Sequence, residues 1–301
     1  MLYTKNYYTE QEAKQFIAQC DQEFDNKIEG AVQYILNKKA RFLCLCGPSC
    51  AGKTTTAQRI TSKLAKKGVT THVISIDDFF YDMEYLVAMS QAKGSALDMD
   101  SADAIDLASF KTCLQELIDT CATNLPVFDF HTHKRSSYRA FSCDSRDLII
   151  FEGIQAIYPQ ITDLIKPHGM ASIFVCPDQP ITVGEQVFDP NIYRFYRRIV
   201  RDAQYRSATA TRTLEIWRGV RNNEDANIFP YRDSCEYVVD TSMAYDLHLL
   251  TPYLRELMPT VEEQSRFYLR ALDILNRISD IHPISVNYLS DNSLYREFIK
   301  F

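Results

Sequence analysis

The chain has 301 residues, 46% of them hydrophobic and 12% aromatic, enough to bury a substantial core in one or two domains. A formal net charge of -6 argues against a general nucleic-acid binder, whose affinity rests on basic side chains, so any anionic ligand has to meet a local basic patch. The nine cysteines form no CxxC pair, no charged-then-apolar leader opens the chain, and no apolar run approaches the roughly 20 residues that cross a bilayer. A cytoplasmic protein with reduced thiols and no membrane partner is expected.

Taken in chain order, Thr9 and Glu12 make a capping box, and Ala13, Phe16, Ile17, Cys20, Phe24, Ile28, Val32 and Ile35 recur at helical spacing. The spacing predicts a helix over 10–38, with Gly30 as a candidate interruption. Arg41 to Cys46 reads as a short apolar strand, 47–52 as a small-residue loop, 53–67 as a helix and 69–76 as a second strand. Helices are expected at about 83–92 and 104–122, and strands at about 125–130, 147–151 and 171–176. Beyond Asp189 the chain is expected to be helical to its end, broken by a loop near Asn222 to Asp233 and a strand at about 237–240. Alternation of this kind predicts an α/β fold, with a mostly parallel sheet covered by helices on both faces and helical additions at both ends.

Gly47-Pro48-Ser49-Cys50-Ala51-Gly52-Lys53-Thr54 matches GxxxxGK[ST] and falls between the first strand and its helix, where a phosphate loop belongs. Backbone N–H groups of Gly47, Ser49, Cys50, Ala51 and Gly52, with the positive end of the helix, suit a β-phosphate. Lys53 suits the β and γ oxygens, and the Thr54 hydroxyl suits Mg²⁺. A nucleoside triphosphate is the expected ligand.

The second strand runs into Ile76-Asp77-Asp78-Phe79-Phe80, placing carboxylates at the carboxyl edge of a parallel sheet, where ligands of such folds bind. Asp77 is the better candidate base for an attacking hydroxyl, and the competing reading makes both acids helix caps. Glu152, after the apolar Leu148-Ile149-Ile150-Phe151 and before Gly153, is a candidate Mg²⁺ partner with capping as its alternative. Asp100, Asp103 and Asp106 precede a helix, where most acids are caps.

Phe128, Phe130, His131, His133 and Arg135 crowd one strand end, a mixture suited to stacking and hydrogen bonding on a nucleobase; the histidine pair as a metal site has no obvious third ligand. Arg194, Arg197, Arg198 and Arg201 line one helix face, with Arg206 and Arg212 following. They read either as a solvated face or as an arginine-lined mobile lid.

GPSCAGKTT, SIDDFF, LDMDSADAID, PVFDFHTHKR, IIFEGIQAIY and RRIVRDAQYRS, in that order, resemble the uridine kinase and phosphoribulokinase group, and within it bacterial uridine kinase-like nucleoside kinases. The resemblance implies a P-loop kinase domain over 41–258 with a lid at about 190–222, an N-terminal helical extension over 1–40 and a C-terminal one over 259–301. It implies ATP-dependent phosphorylation of a nucleoside 5'-hydroxyl, most simply of uridine or cytidine. Its alternatives are another hydroxyl substrate, such as a purine nucleoside or sugar phosphate, or a nucleotide-binding regulator without turnover.

By position, the resemblance makes Asp77 the base, with Lys53 beside it, and makes Thr54 and Glu152 the Mg²⁺ site. It adds Thr55, Arg201 and Arg206 to the ATP contacts, gives Asp100 the ribose hydroxyls, and lines the acceptor pocket with Phe128, Phe130, His133, Arg135 and Arg198. Phe128 stands where uridine-cytidine kinases commonly carry tyrosine, Cys50 where the loop is usually Gly or Ala, and Ala208 where an arginine is usual. WRGVRNNEDANIFPY and SLYREF look like a longer bacterial branch, and homo-oligomerisation is left open.

Overall fold

The computed structural model describes residues 1–7, 9–94 and 99–300; Leu97 and Asp98 of the LDMDSADAID stretch, and the last residue of the expected C-terminal extension, lie outside the described residues. In chain order it contains β1 (Leu2–Thr4), α1 (Glu10–Lys38), β2 (Phe42–Cys46), α2 (Lys53–Lys66), β3 (Thr71–Ser75), α3 (Met83–Lys93) and α4 (Leu107–Thr120). There follow β4 (Ala122–Asp129), β5 (Lys134–Ser142), β6 (Leu148–Glu152), α5 (Pro159–Ile165), β7 (Met170–Cys176), β8 (Ile181–Val183) and β9 (Gln186–Phe188). Then come α6 (Pro190–Arg206), α7 (Ala210–Asn227), β10 (Tyr237–Asp240), α8 (Asp246–Leu257) and α9 (Tyr268–Arg277).

The central sheet has the order β10-β7-β2-β6-β3 with every pair parallel. Because successive side chains of a strand point to opposite faces, the sheet divides the core in two. Leu43 and Leu45 of β2, Ile150 of β6 and Ile173 and Val175 of β7 join α1, α2, α6 and α8 on one face. Phe42, Cys44 and Cys46, with Ile149, Phe151 and Phe174, join α4, α5 and Leu86 of α3 on the other. Strands buried on both faces are nearly continuous apolar runs, which is why RFLCLC and DLIIF were legible.

The Thr9 capping box forms, and α1 runs through Gly30 without a break. A Cβ at Gly30 would collide with the Tyr237 hydroxyl, so this glycine marks a close approach to β10 and not an interruption.

Three expectations are corrected, and one small sheet is new. The segment expected as one strand over 125–130 is an antiparallel hairpin of β4 and β5, paired from Ala122–Ser142 to Asp129–Lys134. The return strand KRSSYRAFS is mostly exposed and polar, so it carries no apolar signal. The expected loop from Asn222 begins only after Asn227, because Arg221 pairs with Glu224 and Asp225, and Asn227 bonds Asn223, holding a polar stretch helical. The end of the chain is not helical throughout: among the described residues beyond α9 only the short 3-10 turns Val286–Tyr288 and Leu294–Glu297 interrupt irregular backbone. Finally, β1, β8 and β9, three residues each, form a small sheet too short for any periodic pattern.

Candidate active site

Gly47 to Gly52 turns tightly between β2 and α2. Gly47 lies so close to the Val175 carbonyl that a Cβ would overlap its oxygen, and Gly52 caps α2 in the left-handed region (φ 89°), where a side chain is strained. Cys50 also has positive φ (58°), with its side chain buried in the core. The loop carbonyls are already engaged: Arg194 donates to Ser49 O (3.1 Å), Thr241 Oγ1 to Ala51 O (2.6 Å) and Lys53 Nζ to Pro48 O (3.2 Å). What the loop offers a ligand is its N–H groups and the first turn of α2, an anion site. Thr54 is exposed at its mouth.

Two acids stand at neighbouring strand ends. β3 and β6 pair with Ser75 opposite Glu152, and β2 and β6 pair with Leu45 opposite Glu152, so both acid-bearing turns lie on the β6 side of the loop. Asp77 lies one turn past β3, where its N–H donates to Ser75 Oγ (3.3 Å). Gly153 lets the end of β6 pass that turn, since a Cβ there would sit 2.9 Å from Ile76 Cβ and 3.7 Å from Asp77 Oδ1.

Burial pushes the Asp77 carboxyl up to about 7; Glu152 adds to the rise, Lys53 opposes it, and Asp100 and Asp78 contribute further negative charge. Glu152 is likewise raised by burial and lowered by Lys53. Asp78 is engaged elsewhere: it accepts from Phe128 N (3.3 Å) and lies 3.9 Å from Arg139, tying the hairpin to this turn.

A Mg²⁺ ion prefers one or two carboxylates plus phosphate oxygens to an all-protein cage. Glu152 and the Thr54 hydroxyl fit such a partial site, and among the described residues no three His, Cys, Asp or Glu side chains converge as a cage. His131 and His133 likewise find no third such ligand among the described residues.

Of the residues expected to hold the acceptor, Asp100 takes a hydrogen bond from Asn223 Nδ2 of α7 (3.1 Å), and its backbone carbonyl accepts from the Tyr158 hydroxyl (2.6 Å). Asn223 lies in the WRGVRNNEDANIFPY stretch, and its part in the site had no sequence signal. Phe128 is buried and Phe130 is 57% exposed; the two meet edge to face at 5.2 Å, with Phe80 5.5 Å from Phe128. His133 is exposed in the hairpin turn in left-handed backbone (φ 54°), and its carbonyl accepts from Met83 N (3.0 Å). Arg135 is committed to structure, both terminal nitrogens 3.2 Å from Asp106 and Nη2 also donating to Phe80 O (3.2 Å).

The arginine helix separates into two groups. Arg194 is fully buried against Glu224 (2.5 Å) and Arg197 against Asp246 (2.6 Å), with Arg197 also donating to Thr241 O (2.8 Å). Neither the solvated face nor the loose lid expected from the sequence describes these two; they pin α6 into the core. Arg198 (3.4 Å), Arg201 (2.6 Å) and Arg206 (3.9 Å) instead gather on the single carboxylate of Asp202, and Arg201 also donates to Ser49 Oγ (3.3 Å) of the phosphate loop. Three cations on one acid leave net positive charge beside the loop, the local patch that an acidic protein needs for a triphosphate. Arg212 pairs with Glu215 on the exposed side of α7 (3.0 Å).

A family model described as "Phosphoribulokinase / Uridine kinase family" matches residues 42–248. The chain is similar to a uridine kinase of Lactobacillus johnsonii, 26% identical over 75% of this chain and 99% of that protein. It is also similar to a longer uridine kinase of Schizosaccharomyces pombe, 28% identical over 59% of this chain and 35% of that protein. Among solved structures, a possible uridine kinase from Bacillus stearothermophilus aligns with 72% of this chain and 100% of its own at 18% identity and a TM-score of 0.46. With the family model spanning most of the chain, and the phosphate loop, the two strand-end acids and the arginine cluster inside that span, this protein belongs to the phosphoribulokinase/uridine kinase family and is a kinase.

Proposed function

We propose that the protein transfers the γ-phosphoryl group of ATP to the 5'-hydroxyl of a pyrimidine nucleoside, uridine or cytidine. The observation that carries this reading is Asp77: a carboxylate beside the phosphate loop, raised to about 7 by burial and by Glu152, is matched to accept a hydroxyl proton near neutral pH. The loop amides and the α2 terminus hold the phosphates, and Lys53 neutralises charge that grows on the β and γ oxygens in the transition state. Glu152 and Thr54 would hold Mg²⁺, which would supply neutralisation of the phosphate charge. Arg198, Arg201 and Arg206 close on the nucleotide and acceptor from the opposite side. Asp100, steadied by Asn223, takes the ribose hydroxyls, and Phe130 with the edge of Phe128, together with His133, lines the base, while Arg135, held by Asp106 and the Phe80 carbonyl, braces the hairpin that carries them.

A second acceptor class, a purine nucleoside or sugar phosphate, is favoured by one observation: the base-side wall has phenylalanine at Phe128 and an exposed His133, and so few fixed hydrogen-bond partners for a pyrimidine edge. Nine free thiols support a reducing, cytoplasmic setting, and no described helix is long and apolar enough to cross a membrane. ADP release measured with Mg²⁺–ATP and a panel of nucleosides and sugar phosphates tests the proposal. Release stimulated most by uridine or cytidine supports it, stimulation by another acceptor transfers the chemistry to that class, and no stimulation by any acceptor refutes phosphotransfer.

A further inference from the structure

The C-terminal segment reaches the phosphate loop. Leu294, Tyr295, Phe298 and Ile299 are fully buried, and the turn they form is tied to the nucleotide-side helices. Arg59 of α2 donates to Asn292 O (2.9 Å), Tyr205 of α6 donates to the carbonyls of Arg296 (2.7 Å) and Ile299 (3.1 Å), and the Arg197 guanidinium lies 5.2 Å over the Phe298 ring. Leu294 covers the loop itself, with its Cδ1 2.5 Å from where a Cβ on Gly52 would be.

This packing delivers Glu297 to the start of α2, where its Oε2 accepts from both the Thr55 backbone N–H (3.2 Å) and the Thr55 hydroxyl (3.1 Å). The first amides of a helix have no intrahelical acceptor, and Thr56 N, bonded to Gly52 O, is the first that does; Thr55 N–H therefore belongs to the donor set an anion would use. Glu297 is also near enough to raise Glu152 and to hold up the charge on Arg201, so its carboxylate shares the field of the phosphate site.

We propose that the C-terminal segment is an internal competitor for nucleotide: the Glu297 carboxylate occupies Thr55 donors that a nucleotide phosphate needs, and binding of the triphosphate requires this turn to withdraw. The proposal rests on the reading that the loop takes a nucleoside triphosphate. A carboxylate and a phosphate oxygen cannot share one N–H and one hydroxyl, and both negative groups at one helix end repel. A cavity of about 680 Å³ bounded by α1, α2, residues 290–293 and Arg296, reaching Thr55, gives the turn room to shift. Apparent affinity is the intrinsic affinity reduced by the fraction of molecules whose donors are open.

The test uses the full chain. ATP affinity with Mg²⁺ is measured by calorimetry for the wild type, Glu297→Gln, Glu297→Ala and Lys53→Ala, and hydrogen exchange of residues 293–299 is followed with and without ATP. Loss of an anion from a helix N-terminus is expected to tighten ATP by roughly tenfold in both Glu297 variants, and ATP is expected to speed exchange of the segment in the wild type. The exchange arm separates displacement from mere relief of charge repulsion. Unchanged or weaker affinity in the Glu297 variants, or protection of the segment by ATP, overturns the competitor while leaving nucleotide binding intact. Absence of ATP binding in every form overturns the nucleotide reading, and the competitor with it.

Discussion

Replacing Asp77 by asparagine separates catalysis from stability, because the protein holds this acid in an environment that disfavours its charge. The carboxyl is raised from 3.8 to about 7, so between these values the native state binds a proton that the unfolded chain has released. Stability therefore falls as pH rises from about 4 to about 7 and is level above. The shift of about three units corresponds to a cost on the order of 4 kcal/mol at pH 8, borne by ionised Asp77 and absent from the amide. Asp77→Asn is expected to raise the melting temperature at pH 8 by roughly 5–10 °C and by only about a quarter of that at pH 4.5. In the same preparation kcat should fall by orders of magnitude while ATP still binds, because the variant loses a base and keeps the cradle. For the wild type, kcat/KM should decline as pH falls through about 7, the value for the free enzyme. Thermal melts at both pH values, calorimetry with ATP and a pH–rate profile make the test. A melting-temperature change equal at pH 4.5 and 8 would refute the argument about buried charge, and wild-type turnover would refute the role as base.

Lys53→Ala is expected to abolish most turnover in a folded protein, and wild-type-like rates would end the phosphate-loop argument. Glu224→Ala leaves the buried Arg194 guanidinium uncompensated and should cost about 3–5 kcal/mol in denaturant unfolding; Arg198→Ala should cost little stability and act on KM, so equal stability losses would contradict the division of the arginine helix. Asn223→Ala removes the amide that steadies Asp100 and should raise the acceptor KM by about tenfold with ATP affinity unchanged; an effect on ATP alone would detach Asp100 from the acceptor side. Phe128→Tyr should sharpen discrimination between uridine and cytidine if the ring edge meets the base, and unchanged relative rates across a nucleoside panel would assign Phe128 to the core alone.

The phosphate loop, the strands beside it and the two strand-end acids were legible because each is written in contiguous residues. A Gly-rich turn between a buried strand and a helix builds its cradle from its own backbone, and a strand buried on both faces shows itself as an unbroken apolar run. The hairpin was half legible: β4 carries buried residues and β5 is paired almost wholly by backbone, which no side-chain pattern reports. Asp77, Glu152 and Lys53 could be named from the sequence as candidates, whereas the upward shift of Asp77 could not, since it depends first on burial and then on the charge of Glu152 and Asp100 from separate segments.

By itself, then, the sequence determined the chemistry that short-range pattern can carry: an α/β kinase core, a triphosphate cradle, an acid at the end of the neighbouring strand and an arginine-rich helix beyond. Which arginines are locked into the core was decided only in three dimensions, by Glu224 thirty positions from Arg194 and Asp246 forty-nine from Arg197, because a buried guanidinium must have a carboxylate and spacing along one helix cannot reveal it. The same holds for the C-terminal turn, where Glu297 meets Thr55 across 242 residues: the helix end attracts any anion that folding brings to it, and only the packing of Leu294, Tyr295 and Phe298 brings this one.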